Sequence, residues 1–402
     1  MKTSKSLILA SLFAIALSSM ASAATIIRFT GSTAFRAETT QAIIKVLGGV
    51  NATFAFNQNA TNTATIKNSS NAIIYNATQT VIVKTSWSGS VAGLQALTTG
   101  SDITTFLNDT TYNPVTGTVK ATAGVLTAGI FSGGTSIPSG TAVFEAAPGN
   151  PADVALADNF ASDVVGLNTT HLNADDQVGV VVFTWVKNVG APADIANVTN
   201  SLAQTLLTLG SVTESFFNGN PASTTNVFIV GRDNLSGSRY ITFAETGFGI
   251  NSFPTQNEVT ANGAGTGVAS INPVSGATGY SSGGLVASAL SLTGSDNAGV
   301  GGAGPGWIVA YLSTSDAQSV NGGANNINYN GVAATTVNVQ NGVYSLWGYE
   351  HFNTLTTLAG VALTTAQSIA TQLTTTDAND FGAGVLINTM NVSRSGDGQP
   401  IL

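Results

Sequence analysis

The apolar and polar positions of this chain follow one another in blocks that predict strands, tight turns and helices. Residues 25–30 form a short β-type run, Gly31-Ser32-Thr33 a turn, and residues 34–47 carry apolar side chains at helical spacing. A second, looser unit has a β-rich run at 81–83 and a helical stretch at 91–97. The pattern indicates a strand, a turn and a helix, used at least twice.

Further along the chain, continuous β-branched runs at 179–186 and 226–230 are typical of strands that are covered on both faces. Strands that alternate with helices predict α/β layers. Residues 101–150 alternate Thr, Gly and Val, and we expect a β-rich insertion built as a hairpin. Two glycine-rich stretches, 260–284 and 294–306, are predicted to be loops.

The first residues have the features of a secretory signal. Lys2 and Lys5 precede an apolar run at 7–17, and Ala21-Ser22-Ala23 offers the small side chains that a signal peptidase needs. The run is too short for a permanent membrane span. We therefore expect residues 1–23 to be a cleaved signal peptide and the mature protein to be periplasmic or extracellular, without a membrane anchor.

Composition narrows the function further. The 402 residues are 43% apolar and only 8% charged, and they suffice for two domains with a large core. With 12 basic against 20 acidic residues, no nucleic-acid partner is expected. The chain has no cysteine, so disulfide bracing and a lipid-modified cysteine are both excluded.

Catalysis and metal binding have little support in the sequence. His171 and His351 are the only histidines, they are far apart, and we expect both to be surface or capping residues. No metal and no cofactor are therefore predicted. Ser236 with His171 or His351 is the nucleophile and base that a hydrolase would need; the chain is predicted not to be an enzyme, and a hydrolase of phosphoesters or peptides is the weakest hypothesis.

The segment at 227–240 carries the most chemistry. A buried strand delivers Arg232 to its end, and Ser236-Gly237-Ser238 opens the next helix. A helix start offers unpaired N–H groups, and arginine offers a fork that matches an oxyanion. The alternatives are that Arg232 forms a structural ion pair with Asp158 or Asp233, and that the two serines are ordinary helix caps.

This spacing resembles the Arg-x-x-x-Ser-Gly-Thr signature of the periplasmic phosphate-binding proteins that serve ABC transporters. Other segments resemble that family in the same chain order: the turn at 30–35, the Ser-Trp-Ser-Gly-Ser loop at 86–90, the Asp-x-x-x-x-Asp pattern at 153–158, and residues 330–346, where the family's chain returns to its first lobe. Arg36 stands where the family has a proline. The ligand-binding residues that the resemblance implies are Thr33, Phe35, Ser88, Asp158, Arg232, Ser236, Gly237 and Ser238.

The resemblance implies a two-lobe α/β fold of the type 2 periplasmic-binding class, with a hinge of two crossovers. We expect lobe I to comprise residues 24–183 and 346–402, and lobe II residues 184–345. The ligand between the lobes is expected to be inorganic phosphate, because the Asp158 carboxylate favours an anion that has a proton to donate. The partner is then an ABC permease, and the protein a monomer. The competing hypothesis is a surface or extracellular matrix protein that keeps the binding fold but has no transport role.

Overall fold

The computed structural model describes residues 23–48, 52–58, 65–99, 105–127, 130–146, 151–173, 176–293, 306–382 and 384–402. Nearly all of the expected signal peptide, and the glycine-rich stretch at 294–306 apart from Gly306, lie outside these residues. Among the described helices, none has the length and apolar character that a membrane span requires.

The described residues form an α/β structure with a large mixed sheet. The strands are β1 (Thr25–Gly31), β2 (Thr53–Asn57), β3 (Asn71–Tyr75), β4 (Val81–Ser86), β5 (Thr122–Thr127), β6 (Ile130–Gly133), β7 (Thr135–Ile137), β8 (Val154–Ala157), β9 (Asp176–Lys187), β10 (Asn197–Val198), β11 (Ser211–Thr213), β12 (Asn226–Ile229), β13 (Gln256–Ala261), β14 (Val268–Val274), β15 (Gly306–Ser313), β16 (Asn326–Tyr329), β17 (Trp347–Thr354) and β18 (Gly384–Val385). All of them except β13 and β14, which form a separate two-stranded sheet, belong to the large sheet.

The helices lie between these strands and pack on them. They are α1 (Arg36–Leu47), α2 (Ser90–Thr99), α3 (Asn200–Leu209), α4 (Ser215–Asn218), α5 (Gly237–Thr246), α6 (Gly283–Leu290), α7 (Thr314–Ala317), α8 (Thr336–Gln340) and α9 (Gly360–Gln372).

Strand β9 divides the sheet into two lobes. Residues 176–182 of β9 pair with β17, whereas residues 183–187 pair with β15. The strand order is β11-β12-β15-β9-β17-β8-β1-β4-β3-β2-β5-β6, so that lobe I lies on the β17 side of β9 and lobe II on the β15 side. The chain crosses into lobe II through β9 and returns between β16 and β17. The predicted two-lobe α/β fold with two crossovers is confirmed, while the exact domain boundaries stay predictions.

In lobe I the strands that carry the predicted turns are parallel neighbours. β1 pairs in parallel with β4 on one side and with β8 on the other. Parallel strands end at the same edge of a sheet, so the segments that follow β1, β4 and β8 meet there. In lobe II, β12 and β15 are likewise parallel. The turn before α5 follows β12 directly.

Tight side-chain packing holds both lobes together. The largest apolar cluster includes Phe29 and Ile43 of lobe I together with Val227 and Tyr311 of lobe II, so it is continuous across the two lobes. The predicted β-rich insertion is confirmed as a hairpin of β5 and β6, which extends the sheet of lobe I through pairing of β5 with β2.

Two sequence expectations are wrong. The stretch at 260–284 is not a loop, because it includes β14, which pairs with β13 in an antiparallel hairpin, and the start of α6. His351 is not a surface residue either: it is 0% exposed on β17, where its ring centroid lies 4.2 Å from that of Phe160. His171 is exposed.

Candidate functional site

The turn between β1 and α1 depends on glycine. Gly31 has φ +109°, and a methyl carbon on it would lie 1.9 Å from the carbonyl oxygen of Leu156. Any other residue would be strained in this conformation and would also clash with β8. The N–H of Gly89, in the turn before α2, donates to the Gly31 carbonyl at 2.9 Å. The two turns of lobe I are therefore in direct contact.

Ser32 connects the first turn to Asp158, which follows β8. Its hydroxyl donates a short hydrogen bond to Asp158 Oδ1 and accepts one from the Phe35 N–H at 3.2 Å. The Phe35 N–H, which was expected to face an anion, is thus used inside the turn. The Phe35 ring is buried, and its closest neighbours include Gly179 of β9. Ser32 was not among the predicted site residues.

Lobe II reaches the same point through the start of α5. A methyl carbon on Gly237 would lie 2.3 Å from Ser90 Oγ and 2.6 Å from Asp158 Oδ2. The Ser90 hydroxyl accepts a hydrogen bond from the Asp158 N–H at 3.2 Å, and the Val91 N–H donates across the lobes to the Leu235 carbonyl at 3.2 Å. Asp158 and Gly237, predicted from distant segments, are therefore brought together.

The Asp158 carboxyl has a second buried carboxyl beside it. Glu350 of β17 is 0% exposed, and its carboxyl is within hydrogen-bonding reach of Asp158 and Ser32. Burial and the neighbouring Asp158 raise the pKa of Glu350 well above its ordinary value. Burial also raises the pKa of Asp158, although the hydrogen bond from Ser32 opposes this rise. Two adjacent buried carboxyls are expected to hold one proton between them.

The start of α5 has one side chain used as a cap and two free backbone donors. Ser236 Oγ accepts from the Arg239 N–H at 3.3 Å, so this serine is a helix cap, as the alternative interpretation held. Within the described residues, the N–H groups of Gly237 and Ser238 donate no hydrogen bond. The Ser238 side chain is buried and makes no hydrogen bond with a described residue.

Arg232 lies behind this region and is 1% exposed. Its Nε donates to the Tyr280 carbonyl at 2.9 Å, and its Nη2 to the Ser281 carbonyl at 3.0 Å. Two of its five N–H donors are therefore used by backbone. Within the described part of the chain, no ion pair joins it to Asp158 or Asp233. Its charge nevertheless acts on both Asp158 and Asp316.

A cavity of about 720 Å³ opens between the lobes next to these turns. Of the predicted site residues, Thr33 and Ser88 line it, and the Ser88 hydroxyl lies 3.1 Å from that of Thr30. The other predicted residues do not line it: Phe35, Asp158, Arg232, Ser236, Gly237 and Ser238. The predicted set is thus divided between the wall of the cavity and the buried layer behind it.

Arg36 is the cavity residue that the sequence did not single out as a ligand contact. It is the first residue of α1, it lines the cavity, and its Nε is buried without a hydrogen-bond partner among the described residues. Burial lowers the pKa of Arg36, while Asp316 on the facing lobe opposes this effect. A cation at the positive end of a helix is unfavourable unless an anion compensates it. A guanidinium at the start of a helix, in a chain with only 8% charged residues, was the feature of the sequence that could have identified Arg36 as a site residue.

Trp87 and Asp316 are two further residues that line the cavity, one from each lobe. Trp87 lines the cavity from lobe I, and its indole Nε1 is buried without an acceptor among the described residues. Asp316 lines it from lobe II and accepts a hydrogen bond from the Ser313 hydroxyl at 3.0 Å. In the described residues, no group of three or more His, Cys, Asp or Glu side chains is arranged to hold a metal ion.

In fold, the chain is similar to solved structures of phosphate-binding proteins of ABC transporters. No family model and no curated protein matches the sequence. A phosphate ABC transporter substrate-binding protein from Clostridium perfringens, solved with bound phosphate, is 14% identical, with a TM-score of 0.48 and coverage of 90% of this chain and 100% of that one. An ABC-type phosphate transport receptor from Vibrio cholerae is 14% identical, with a TM-score of 0.42 and coverage of 86% and 93%.

A phosphate-binding protein from Stenotrophomonas maltophilia is 12% identical, with a TM-score of 0.41 and coverage of 87% of this chain and 83% of that one. At such identities the similarity concerns the fold. The ligand has to be argued from the residues of this chain.

Proposed function

We propose that this protein is an exported solute-binding protein that captures a small oxyanion, first of all phosphate, in the cleft between its lobes and does no chemistry on it. The observation that carries the proposal is the Arg36 guanidinium, which faces the interlobe cavity without a hydrogen-bond partner among the described residues. Thr33 and Ser88 place two hydroxyls on the same wall. The Arg36 guanidinium and the Thr33 hydroxyl supply donors of the kind that an oxyanion requires, whereas Ser88 donates its proton to Thr30, which donates its own to the Ser86 carbonyl.

The energetics favour an anion at this wall. A hydrogen bond to a charged group contributes about 1.5 to 3 kcal/mol, so several converging donors offset the desolvation of a small oxyanion. The chain as a whole is acidic, with a formal net charge of −8, and repels anions at long range. Capture therefore depends on local geometry, which here combines Arg36 with the buried charge of Arg232 nearby.

Asp158 has no contact with the ligand in this proposal. It is 2% exposed, it lies with Glu350 in the buried layer behind the cavity wall, and it does not line the cavity. Delivery to an ABC permease, export to the periplasm or the medium, and a monomeric state belong to the same proposal.

Calorimetric titration of the purified protein with inorganic phosphate tests the proposal. Arg36→Ala is expected to weaken binding by about tenfold to a hundredfold, because it removes one to two charge-assisted hydrogen bonds. Lys120→Ala, an exposed cation in the insertion, is the control for net charge and should bind as the original chain does. Absence of binding, or an unchanged affinity in Arg36→Ala, would refute the assignment.

A second candidate function is favoured by the firm contact between the lobes. Arg394 forms an ion pair with Glu245 of α5 at 2.9 Å, and Tyr240 of α5 packs with Val91 and Leu94 of lobe I. Lobes that are fixed relative to each other suit a surface or matrix protein that keeps the fold but has no transport role. A solute-binding protein gains thermal stability as phosphate is added, whereas a protein without the ligand does not.

A further inference from the structure

The cavity is much larger than a phosphate ion. A tetrahedral oxyanion is a single central atom with its oxygens, whereas cavities of about 300 to 1,000 Å³ enclose organic ligands of drug size. The cavity volume, about 720 Å³, falls in the second class. A ligand held only by Arg36 and Thr33 would leave most of this space to water.

The lobe II side of the cavity is formed in part by α6 and the residues around it. Gly284, Ser288 and Ser291 follow one another at intervals of four and three positions, so they lie on one face of the helix and its C-cap, and all three line the cavity together with Leu285. Ser281, just before the helix, belongs to the same wall. Hydroxyl groups therefore line the lobe II side of the cavity.

Two of these hydroxyls already donate their proton to the helix backbone. Ser288 donates its proton to the Gly284 carbonyl at 2.9 Å, and Ser291 donates to the Ala287 carbonyl at 2.8 Å. A serine hydroxyl that already donates its only proton can act toward a ligand only as a hydrogen-bond acceptor. Asp316, on the same lobe, adds a carboxyl. This wall suits the O–H donors of a ligand, and it repels a bare oxyanion.

Two aromatic side chains, Trp87 and Phe381, also line the cavity. The Phe381 ring is stacked on Phe131 at a centroid distance of 5.7 Å and carries Lys67 Nζ at 5.2 Å from its centroid, so its faces are already occupied. The Trp87 ring is the aromatic group that can pack against the C–H groups of a carbon skeleton.

We propose that the cavity accommodates a phosphate monoester of a polyhydroxylated carbon skeleton, that is, a sugar phosphate. The inference rests on the proposed function, since it assigns the phosphate group to Arg36 and Thr33. The hydroxyls of the sugar donate to Ser288 and Ser291, and the carbon skeleton lies against Trp87. The wall of α6 then determines which phosphorylated solute is preferred.

Titration calorimetry with three probes tests this inference: glucose 6-phosphate, inorganic phosphate and glucose. Glucose 6-phosphate is expected to bind at least about tenfold more tightly than inorganic phosphate, as two additional neutral hydrogen bonds would give. In the double variant Ser288→Ala/Ser291→Ala the ratio of the two dissociation constants should fall toward one. Ser201→Ala, an exposed serine of α3, is the matched control and should keep the original ratio.

The outcomes separate the two proposals. Equal affinities for glucose 6-phosphate and inorganic phosphate would overturn the sugar phosphate and leave oxyanion capture standing. A preference that survives in the double variant would overturn the role of Ser288 and Ser291. Binding of glucose as tight as that of its phosphate would overturn the role of the anionic group. If neither phosphate compound binds, the proposed function itself fails.

Discussion

Replacement of Gly237 by alanine tests the closed contact between the lobes. The added methyl carbon would lie 2.3 Å from Ser90 Oγ and 2.6 Å from Asp158 Oδ2, both shorter than any normal contact of a carbon with an oxygen. Asp158 has little room to withdraw, because Ser32 and Ser90 hold it by hydrogen bonds. Either the lobes separate or the buried side chains move.

The expected cost follows from two opposing effects. Overpacking of a tightly packed interior costs about 1 to 3 kcal/mol. Alanine at a helical position gains up to about 1 kcal/mol over glycine. Gly237→Ala should therefore lower the free energy of unfolding by about 1 to 2 kcal/mol.

Urea denaturation of the purified protein measures this change, and Gly284→Ala is the control. Gly284 is the second residue of α6, and the nearest atom to a methyl carbon there is Ser282 Oγ at 4.0 Å. This variant gains helix stability without a clash and should unfold at the same or a higher urea concentration. A Gly237→Ala variant as stable as the original chain would refute the contact between α5 and Asp158.

Two further predictions concern buried charge. The pKa of Glu350 is raised in the folded state by burial and by Asp158, so this residue makes the folded protein less stable as the pH rises from the ordinary glutamic acid range through the raised pKa. Glu350→Gln should therefore lose less stability between about pH 5 and about pH 8 in urea denaturation, and an unchanged pH dependence would contradict the shared proton. Arg394→Met leaves Glu245 buried without its cation and should cost about 3 to 5 kcal/mol. The double variant Arg394→Met/Glu245→Gln should recover part of that loss, and its failure to do so would show that the pair is not coupled.

The sequence pattern predicted the framework of the fold where strands are buried on both faces. The β-branched run at 179–186 lies within β9, and the run at 226–230 matches β12 closely. A buried run shows that both faces are covered, but not which neighbours cover them. The exchange of partners halfway along β9 was therefore not predictable from its own residues.

The hairpin of β13 and β14 was missed for the opposite reason. Its residues are partly exposed, so polar and apolar side chains occur in nearly equal numbers, and glycine separates the strands. Such a segment has the composition of a loop, and only pairing of the two strands distinguishes it from one. His351 was misjudged because a lone histidine carries no pattern, although it stands between residues of a buried strand.

The sequence predicted which turns meet at the candidate site, but it did not predict the cavity between the lobes. The family resemblance of the sequence motifs identified the segments of Thr33, Ser88 and Asp158, and a helix start together with that resemblance identified Gly237. Which of these side chains face open space depends on how the lobes pack, and that is not encoded in any one segment. Arg36 and the residues of α6 that line the cavity could be recognised as site residues only from the packing of the two lobes.

Strand β9 belongs to both lobes at once, and this has a mechanical consequence. A hinge made of a free loop bends at no cost in hydrogen bonds, but residues 182 and 183 are consecutive members of two ladders. Opening the cleft must therefore twist a paired strand, which stores elastic energy and returns it on release. The twisted strand therefore limits how far the two lobes can move apart and favours their return to the closed arrangement.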